Sequence, residues 1–188
     1  MEVNFVIHDD TISAVAKALG DGGIGIIRIS GNKAIEIANN IFRGINGKKA
    51  EDIKTHQVSY GHIIADGEIL DEVILIIMKA PHTYTREDVV EIHCHGGSLT
   101  VKHILDLTLR QGARLAEPGE FTKRAFLNGR LDLTQAQAVM DIIRSKTDAS
   151  LKMALGHLSG QFADKISSFR HELLGMIAHL EASIDFPE

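Results

Sequence analysis

Hydrophobic positions along this chain recur at two different spacings, and the change from one to the other divides it. Up to about residue 112 they alternate or run in short blocks, the pattern of strands separated by brief helices. Ile26-Ile27-Arg28-Ile29 is β-branched and predicts a strand. Asn32 to Phe42 predicts a helix with Ile35, Ala38, Ile41 and Phe42 on one stripe. Gln57 to Ile64, Asp66-Gly67 and Glu68 to Met78 predict an antiparallel hairpin, because Asp-Gly adopts the primed turn that suits twisted strands. Val73 to Met78 is apolar at every position, which predicts a central strand covered on both faces. In Val89 to His95 the alternation puts Glu91, His93 and His95 on one face and Val90, Ile92 and Cys94 on the other. Gly96-Gly97 leads into a helix with Ser98 as its N-cap, running to Gln111 and closed by Gly112. Ile12 to Ala18 suits either state.

From Arg114 onward the wording changes and helix takes over. Pro118-Gly119 predicts a turn, Glu120 to Leu127 a short helix, and Asn128-Gly129 its end, since both residues tolerate the left-handed conformation. Asp132 has the acceptor an N-cap needs, with Gln135 three residues on in a capping box. Arg130 therefore sits on a tight connector between two helix ends, which would present a cation rigidly; plain surface coverage explains the spacing equally well. After Asp148, Leu151, Leu155, Leu158, Phe162, Ile166, Phe169, Leu173, Ile177, Leu180 and Ile184 repeat at steps of 4, 3 and 4. If unbroken, that helix would be about 50 Å long, far more than a chain of this size needs for its own core, so the stripe calls for partners. Gly156, Gly160 and Gly175 are where it would break or let another helix approach. Strands joined by hairpins rather than strict βαβ units predict an α+β fold with a mixed or antiparallel sheet over residues 1–117, followed by a helical part over 118–188.

A length of 188 residues with 44% hydrophobic content allows one full domain and part of another. Twenty basic against 25 acidic residues give a net charge of −5, a poor electrostatic clamp for an RNA backbone. The single cysteine, Cys94, rules out an internal disulfide and fits a reducing cytoplasm. On the apolar face of its strand it reads as a small core residue rather than a nucleophile. His93 and His95, two imidazoles without carboxylate or thiol ligands beside them, make a thin metal site, and none is assigned. The longest apolar run is six residues and no basic leader precedes an apolar stretch, so neither a membrane span nor a signal peptide is expected. Gly20 to Gly25 fits GxGxxG but opens a strand rather than a helix; the glycines read instead as a hairpin loop or a close approach of backbone to a ligand. GxxxxGK[ST] occurs nowhere in the sequence, so these residues offer no basis for binding GTP.

The stretch PGEFTKRAFLNGRLDLTQA (118–136), with DTISA (10–14), GGIGIIRISG (22–31), YTREDVVEIHCHGG (84–97) and the closing IDFPE, resembles the tRNA-modification GTPases called MnmE or TrmE, in that family's order and over nearly the whole chain. The resemblance implies that Ile12 to Ala18 is a first strand. It implies a domain similar to the tetrahydrofolate-binding domain of aminomethyltransferases, followed by an incomplete helical domain that a segment beyond an inserted GTPase domain would complete. It further implies a one-carbon tetrahydrofolate as cofactor, a homodimer, the flavoprotein MnmG as partner, and tRNA modified at C5 of the wobble uridine, contacted indirectly or through the full complex. GTP, Mg and K would come in only with the GTPase domain. Carried over residue by residue, the folate contacts fall on Arg28, Glu91 and Arg130, where some members have lysine; no catalytic residue is assigned. A reduced pterin offers a 2-amino group beside a ring N–H, a donor pair a carboxylate accepts in bidentate fashion, and its tail suits guanidinium groups. Ala18, Leu19 and Asp21 stand where the family has prolines and an arginine, and Arg86 where glycine is common. The competing readings are a purely structural dimerisation module, a stand-alone folate-dependent one-carbon transferase, and direct RNA binding.

Overall fold

A computed structural model describes residues 10–16 and 22–185. The chain forms two compact units, Met1–Arg130 and Leu131–Glu188. The sequence reading divided the chain at 117/118; the helix Glu120–Leu127 falls within the first unit.

The first unit is built on a seven-stranded sheet. Its strands are β1 (Ile12–Val15), β2 (Ile24–Ser30), β3 (Phe42–Gly44), β4 (Gln57–Ala65), β5 (Glu68–Met78), β6 (Val89–His95) and β7 (Arg114–Leu115), in the order β3-β4-β5-β6-β2-β1-β7. Neighbours pair antiparallel except β1 with β7, which makes the sheet mixed. Hairpin chemistry sets the β4–β5 register: Asp66 and Gly67 take φ of 53° and 85°, as the primed turn demands. Alternate residues of three adjacent strands, Ile27 and Ile29, Val73, Leu75 and Ile77, and Val90, Ile92 and Cys94, pack into one core with the helices α1 (Ala34–Ile41) and α2 (Ser98–Arg110) through Ile37, Ile41 and Ile104. Burying each of the larger side chains contributes about 1.5–3 kcal/mol. The strand and hairpin expectations hold, except that the first strand, expected over Ile12 to Ala18, ends at Val15; the face assignment of β6 holds too.

Several details differ from the sequence reading, each for a local reason. β5 has a strand on either side but is covered on one face only: Val73, Leu75 and Ile77 are buried, whereas Ile74 is 40% exposed. An unbroken apolar run thus marks here a strand with one face in the core and the other left hydrophobic. In α1 the buried set is Ala34, Ile37, Ala38 and Ile41, with Ile35 only partly covered, and Phe42 begins β3 instead of extending the helix. Ser98 is the first residue of α2 and Gly97 holds the cap position. Cys94 is 4% exposed, with its thiol donating to the Gly25 carbonyl at 3.4 Å. Ala18, Leu19 and the Gly20-Asp21 half of the glycine loop lie outside the described residues.

The second unit contains α4 (Leu133–Arg144), α5 (Asp148–Leu158) and α6 (Gln161–Asp185). The predicted capping box opens α4: the Asp132 carboxylate accepts from the Gln135 backbone N–H at 2.7 Å, and the Gln135 side-chain carbonyl accepts from the Asp132 N–H at 2.9 Å. The long apolar repeat is divided at Ser159-Gly160 into α5 and α6. No residue of α6 is buried, so its stripe from Phe162 to Ile184 lies open. Among the described residues no helix is long and apolar enough to cross a membrane.

Candidate functional site

The sheet face opposite α1 and α2 holds the polar residues. Antiparallel pairing of β2 with β6 places Arg28 directly across from Glu91, and the two form an ion pair in which Arg28 Nε and Nη2 donate to Glu91 Oε1 at 2.9 and 2.7 Å. His93, two residues along the same face, lies with Nε2 3.1 Å from Glu91 Oε2; an ionised carboxylate only accepts, so this imidazole nitrogen carries the proton. Burial is the largest influence on Glu91 and opposes its charge, but the hydrogen bonds from His93 and Arg28 outweigh it and hold the carboxyl below its ordinary value. Glu91 is therefore anionic throughout the neutral range.

Aromatic rings hold the arginine from the other side. The Arg28 guanidinium carbon is 5.7 Å from the centre of the Tyr84 ring and 5.6 Å from that of Phe121. Arg130 packs on the same tyrosine, 4.8 Å from its centre. Two cations far apart in sequence thus share one ring, and their separation cannot exceed the sum of those two distances. The Tyr84 hydroxyl is fixed by Thr122 Oγ1 at 2.9 Å. The structure therefore brings together the three residues singled out from sequence: Arg28 and Glu91 in direct contact, and Arg130 through Tyr84.

The connector bearing Arg130 is tied down in three places. Gly129 takes φ 70°, while Asn128 remains at φ −82°, so only the glycine of the Asn-Gly pair supplies the left-handed turn that ends α3 (Glu120–Leu127). The Arg130 N–H then donates to the Ala125 carbonyl at 2.8 Å. Asn128 Nδ2 donates to the Thr85 carbonyl at 2.6 Å, and Arg86 Nη1 donates to the Asn128 carbonyl at 2.9 Å. Beside these ties lies an open cavity of about 720 Å³ lined by Met78, Pro81, His82, Thr83, Tyr84, Arg86 and Arg130, within the size range of small-molecule sites. Arg28 and Glu91 are not part of its lining; Tyr84 links it to them.

Lone-pair accounting limits what Glu91 can do in this arrangement. A carboxylate offers about four acceptor positions, and Arg28 occupies both on Oε1 while His93 takes one on Oε2. A donor pair spanning both oxygens fits only if Arg28 turns away. The expectation of three separate ligand contacts therefore becomes a closed pair plus one open cation.

The histidines also differ from the sequence reading, which found no carboxylate near them. His93 is bonded to Glu91, and His95 Nδ1 lies 2.6 Å from Asp71 Oδ1, with its backbone N–H on the other Asp71 oxygen at 2.8 Å. Each imidazole has its own acid, and among the described residues no group of three or more His, Cys, Asp or Glu could hold a metal ion.

Sequence reasoning missed the buried ion network that anchors this region. Arg124 of α3, 3% exposed, donates to Asp10 Oδ1 at 2.7 Å, Glu87 Oε1 at 3.0 Å and Glu120 Oε1 at 3.2 Å. Arg114 grips Glu120 with Nη2 at 2.6 Å and Nη1 at 3.1 Å. Hydrogen bonds from Arg114 are the chief reason the Glu120 carboxyl is lowered from 4.5 to about 2. Because the folded value lies below the unfolded one, the stabilisation is complete above about pH 4.5 and disappears as pH falls towards about 2. That contribution is expected to vanish across that window, measurable as a falling urea midpoint, and Glu120→Gln should flatten the slope. The i,i+4 spacing of Glu120 and Arg124 was visible in the sequence, but charged pairs at that spacing usually lie on solvated faces.

Comparison with known proteins identifies the family. Residues 11–130 match the family described as GTP-binding protein TrmE N-terminus, and residues 133–188 match the MnmE helical domain. The chain is 55% identical over 182 residues to the tRNA modification GTPase MnmE of Alkaliphilus oremlandii, covering 96% of this chain and 40% of that protein. Against the protein of the same name from Bacillus subtilis it is 50% identical over 181 residues, covering 95% of this chain and 39% of the relative. The chain thus spans about two fifths of the length of the curated relatives it matches. With both matched regions in sequence and 50–55% identity along nearly its whole length, the chain belongs to the MnmE (TrmE) family, to that family's N-terminal and helical domains.

Proposed function

We propose that the first unit binds a one-carbon tetrahydrofolate on the Glu91 face, and that the chain serves in tRNA modification as part of a GTPase acting with the flavoprotein MnmG at C5 of the wobble uridine. The observation that carries the folate reading is the meeting of an anionic, half-buried Glu91 with Arg28 and, through the ring of Tyr84, with Arg130 beside an open cavity. On binding, the pterin's amino group and ring N–H take the two oxygens of Glu91, and Arg28 swings off the carboxylate while staying against Tyr84 and Phe121, free to donate to a ligand carbonyl. Arg130 meets the carboxylate tail. No bond-making role falls to these residues: they hold the carrier and aim its one-carbon unit at the partner's active site. The relatives' name supports the tRNA-modifying role; GTP hydrolysis belongs to a domain with a P-loop, which this sequence does not contain.

Self-association is supported by the same sheet face. Ile24, Val58, Tyr60 and Ile74 are 63%, 62%, 48% and 40% exposed; pairing registers put Val58 on the cross-strand row of Arg28 and Glu91, Tyr60 and Ile74 on that of His93, and Ile24 opposite His95. Sedimentation should therefore show a dimer. Calorimetric titration with 5-formyl-tetrahydrofolate tests the main reading: saturable one-site binding with a raised melting temperature is expected, and a folded dimer that gives neither would leave only the structural role.

A further inference from the structure

The cavity beside Tyr84 is basic in a way the pterin does not require. Its charged lining consists of Arg86 and Arg130, with no aspartate or glutamate among the lining residues. The other functional arginines of this unit are matched to acids: Arg28 to Glu91, Arg114 and Arg124 to Asp10 and Glu120. Arg86 and Arg130 have no carboxylate partner among the described residues; Arg86 spends one N–H on the Asn128 carbonyl, and Arg130 rests on Tyr84. That hydrogen bond holds the Arg86 guanidinium against the connector, Nη1 standing 3.4 Å from where a Cβ on Gly129 would lie, so the two cations belong to neighbouring points of one wall.

Backbone conformation adds a second observation. Arg86 takes φ 60°, a left-handed geometry unfavourable for a residue that carries a Cβ. Strain of this kind persists where surrounding structure enforces it, and it tends to accompany ligand sites. The side chain placed there is a guanidinium, whose fork suits carboxylates and whose remaining donors face no protein acceptor among the described residues.

We propose that Arg86 extends the Arg130 contact into an anion subsite for a second, γ-linked glutamate of the folate tail, so that this chain prefers a reduced folate carrying additional γ-linked glutamates over the monoglutamate. The inference rests on the folate reading above and extends it from the ring to the tail. Arg130 meets the α-carboxylate of the first glutamate, and Arg86 receives the α-carboxylate of the second, γ-linked glutamate along the cavity wall. An exposed charge pair contributes little alone, but two guanidinium groups on one rigid wall accept successive carboxylates with geometry already set.

The test compares the mono- and triglutamate forms of 5-formyl-tetrahydrofolate by calorimetry on the full chain, in the wild type, Arg86→Gly and Arg86→Lys. Glycine accepts φ 60° without strain, so Arg86→Gly should fold with an unchanged or slightly raised melting temperature. The wild type should bind the triglutamate roughly fivefold to tenfold more tightly than the monoglutamate, the difference shrinking as salt rises. Arg86→Gly should bind the mono- and triglutamate forms equally well, and Arg86→Lys should keep part of the triglutamate advantage. Equal affinity of the wild type for both ligands, or an advantage that survives in Arg86→Gly, overturns the subsite while leaving the folate reading intact. Failure of both ligands to bind the wild type overturns both.

Discussion

Arg124→Ala is expected to lower the unfolding free energy of the first unit by about 3–5 kcal/mol, the range for breaking a buried ion network by removing one partner, and its melting temperature by roughly 10 °C. Arg124 is 3% exposed and serves three carboxylates, of Asp10, Glu87 and Glu120. Without it Glu120 keeps Arg114 and Asp10 keeps Arg114, but Glu87 retains only the hydroxyl of Ser30 at 2.7 Å. Glu87→Gln in the same chain removes that stranded charge and should restore part of the loss. Arg114, whose side chain is 43% exposed, is expected to matter less on substitution by alanine, by about 1 kcal/mol. Chemical denaturation of the three variants against the wild type checks the ranking. The functional consequence follows from position: Glu87 belongs to the same loop as Tyr84 and Arg86, and Arg124 to the helix that carries Phe121 and Thr122. Loosening the network should therefore weaken ligand binding as well as the fold.

Glu91→Ala should weaken 5-formyl-tetrahydrofolate roughly 100-fold, since a bidentate charge-assisted contact of about 3 kcal/mol disappears. Glu91→Gln should be nearly as damaging, because its amide turns a donor towards a ligand that needs two acceptors. Neither substitution is expected to unfold the unit, as Arg28 keeps its two aromatic neighbours at 5.7 and 5.6 Å. Since His93 and Arg28 keep the Glu91 carboxyl below its ordinary value, affinity should owe nothing to Glu91 titration at pH 6 to 8. Titration calorimetry of the wild type and both variants decides this: affinity in Glu91→Ala equal to the wild type would remove the carboxylate from the site.

Local chemistry was legible in the sequence wherever a short rule decides the outcome. Alternation in Val89 to His95 placed Glu91 and His93 on the polar face, Asp66-Gly67 fixed a hairpin, and Asp132 with Gln135 opened a helix. What joins distant segments was not. That Arg28 stands opposite Glu91 depends on which strands pair and in what register, and no local pattern carries that information. Tyr84 has no role legible in the sequence, because an aromatic residue between polar ones signals neither core nor site until its ring is seen beneath two guanidinium groups. Arg124 was passed over because charged residues are almost never fully buried unless paired, and its partners come from three separate segments. The apolar run in β5 misled for the opposite reason: Ile74 is hydrophobic yet exposed, so covering on both faces could not be read from composition alone.

Soaking crystals of the chain with 5-formyl-tetrahydrofolate tests the central claim most directly. The account predicts density for the pterin with its amino group and ring N–H within hydrogen-bond distance of the two Glu91 oxygens, Arg28 turned off the carboxylate, and the tail running past Tyr84 to Arg130. Density elsewhere on the chain, with Arg28 still closed on Glu91 at 2.7 Å, would contradict it.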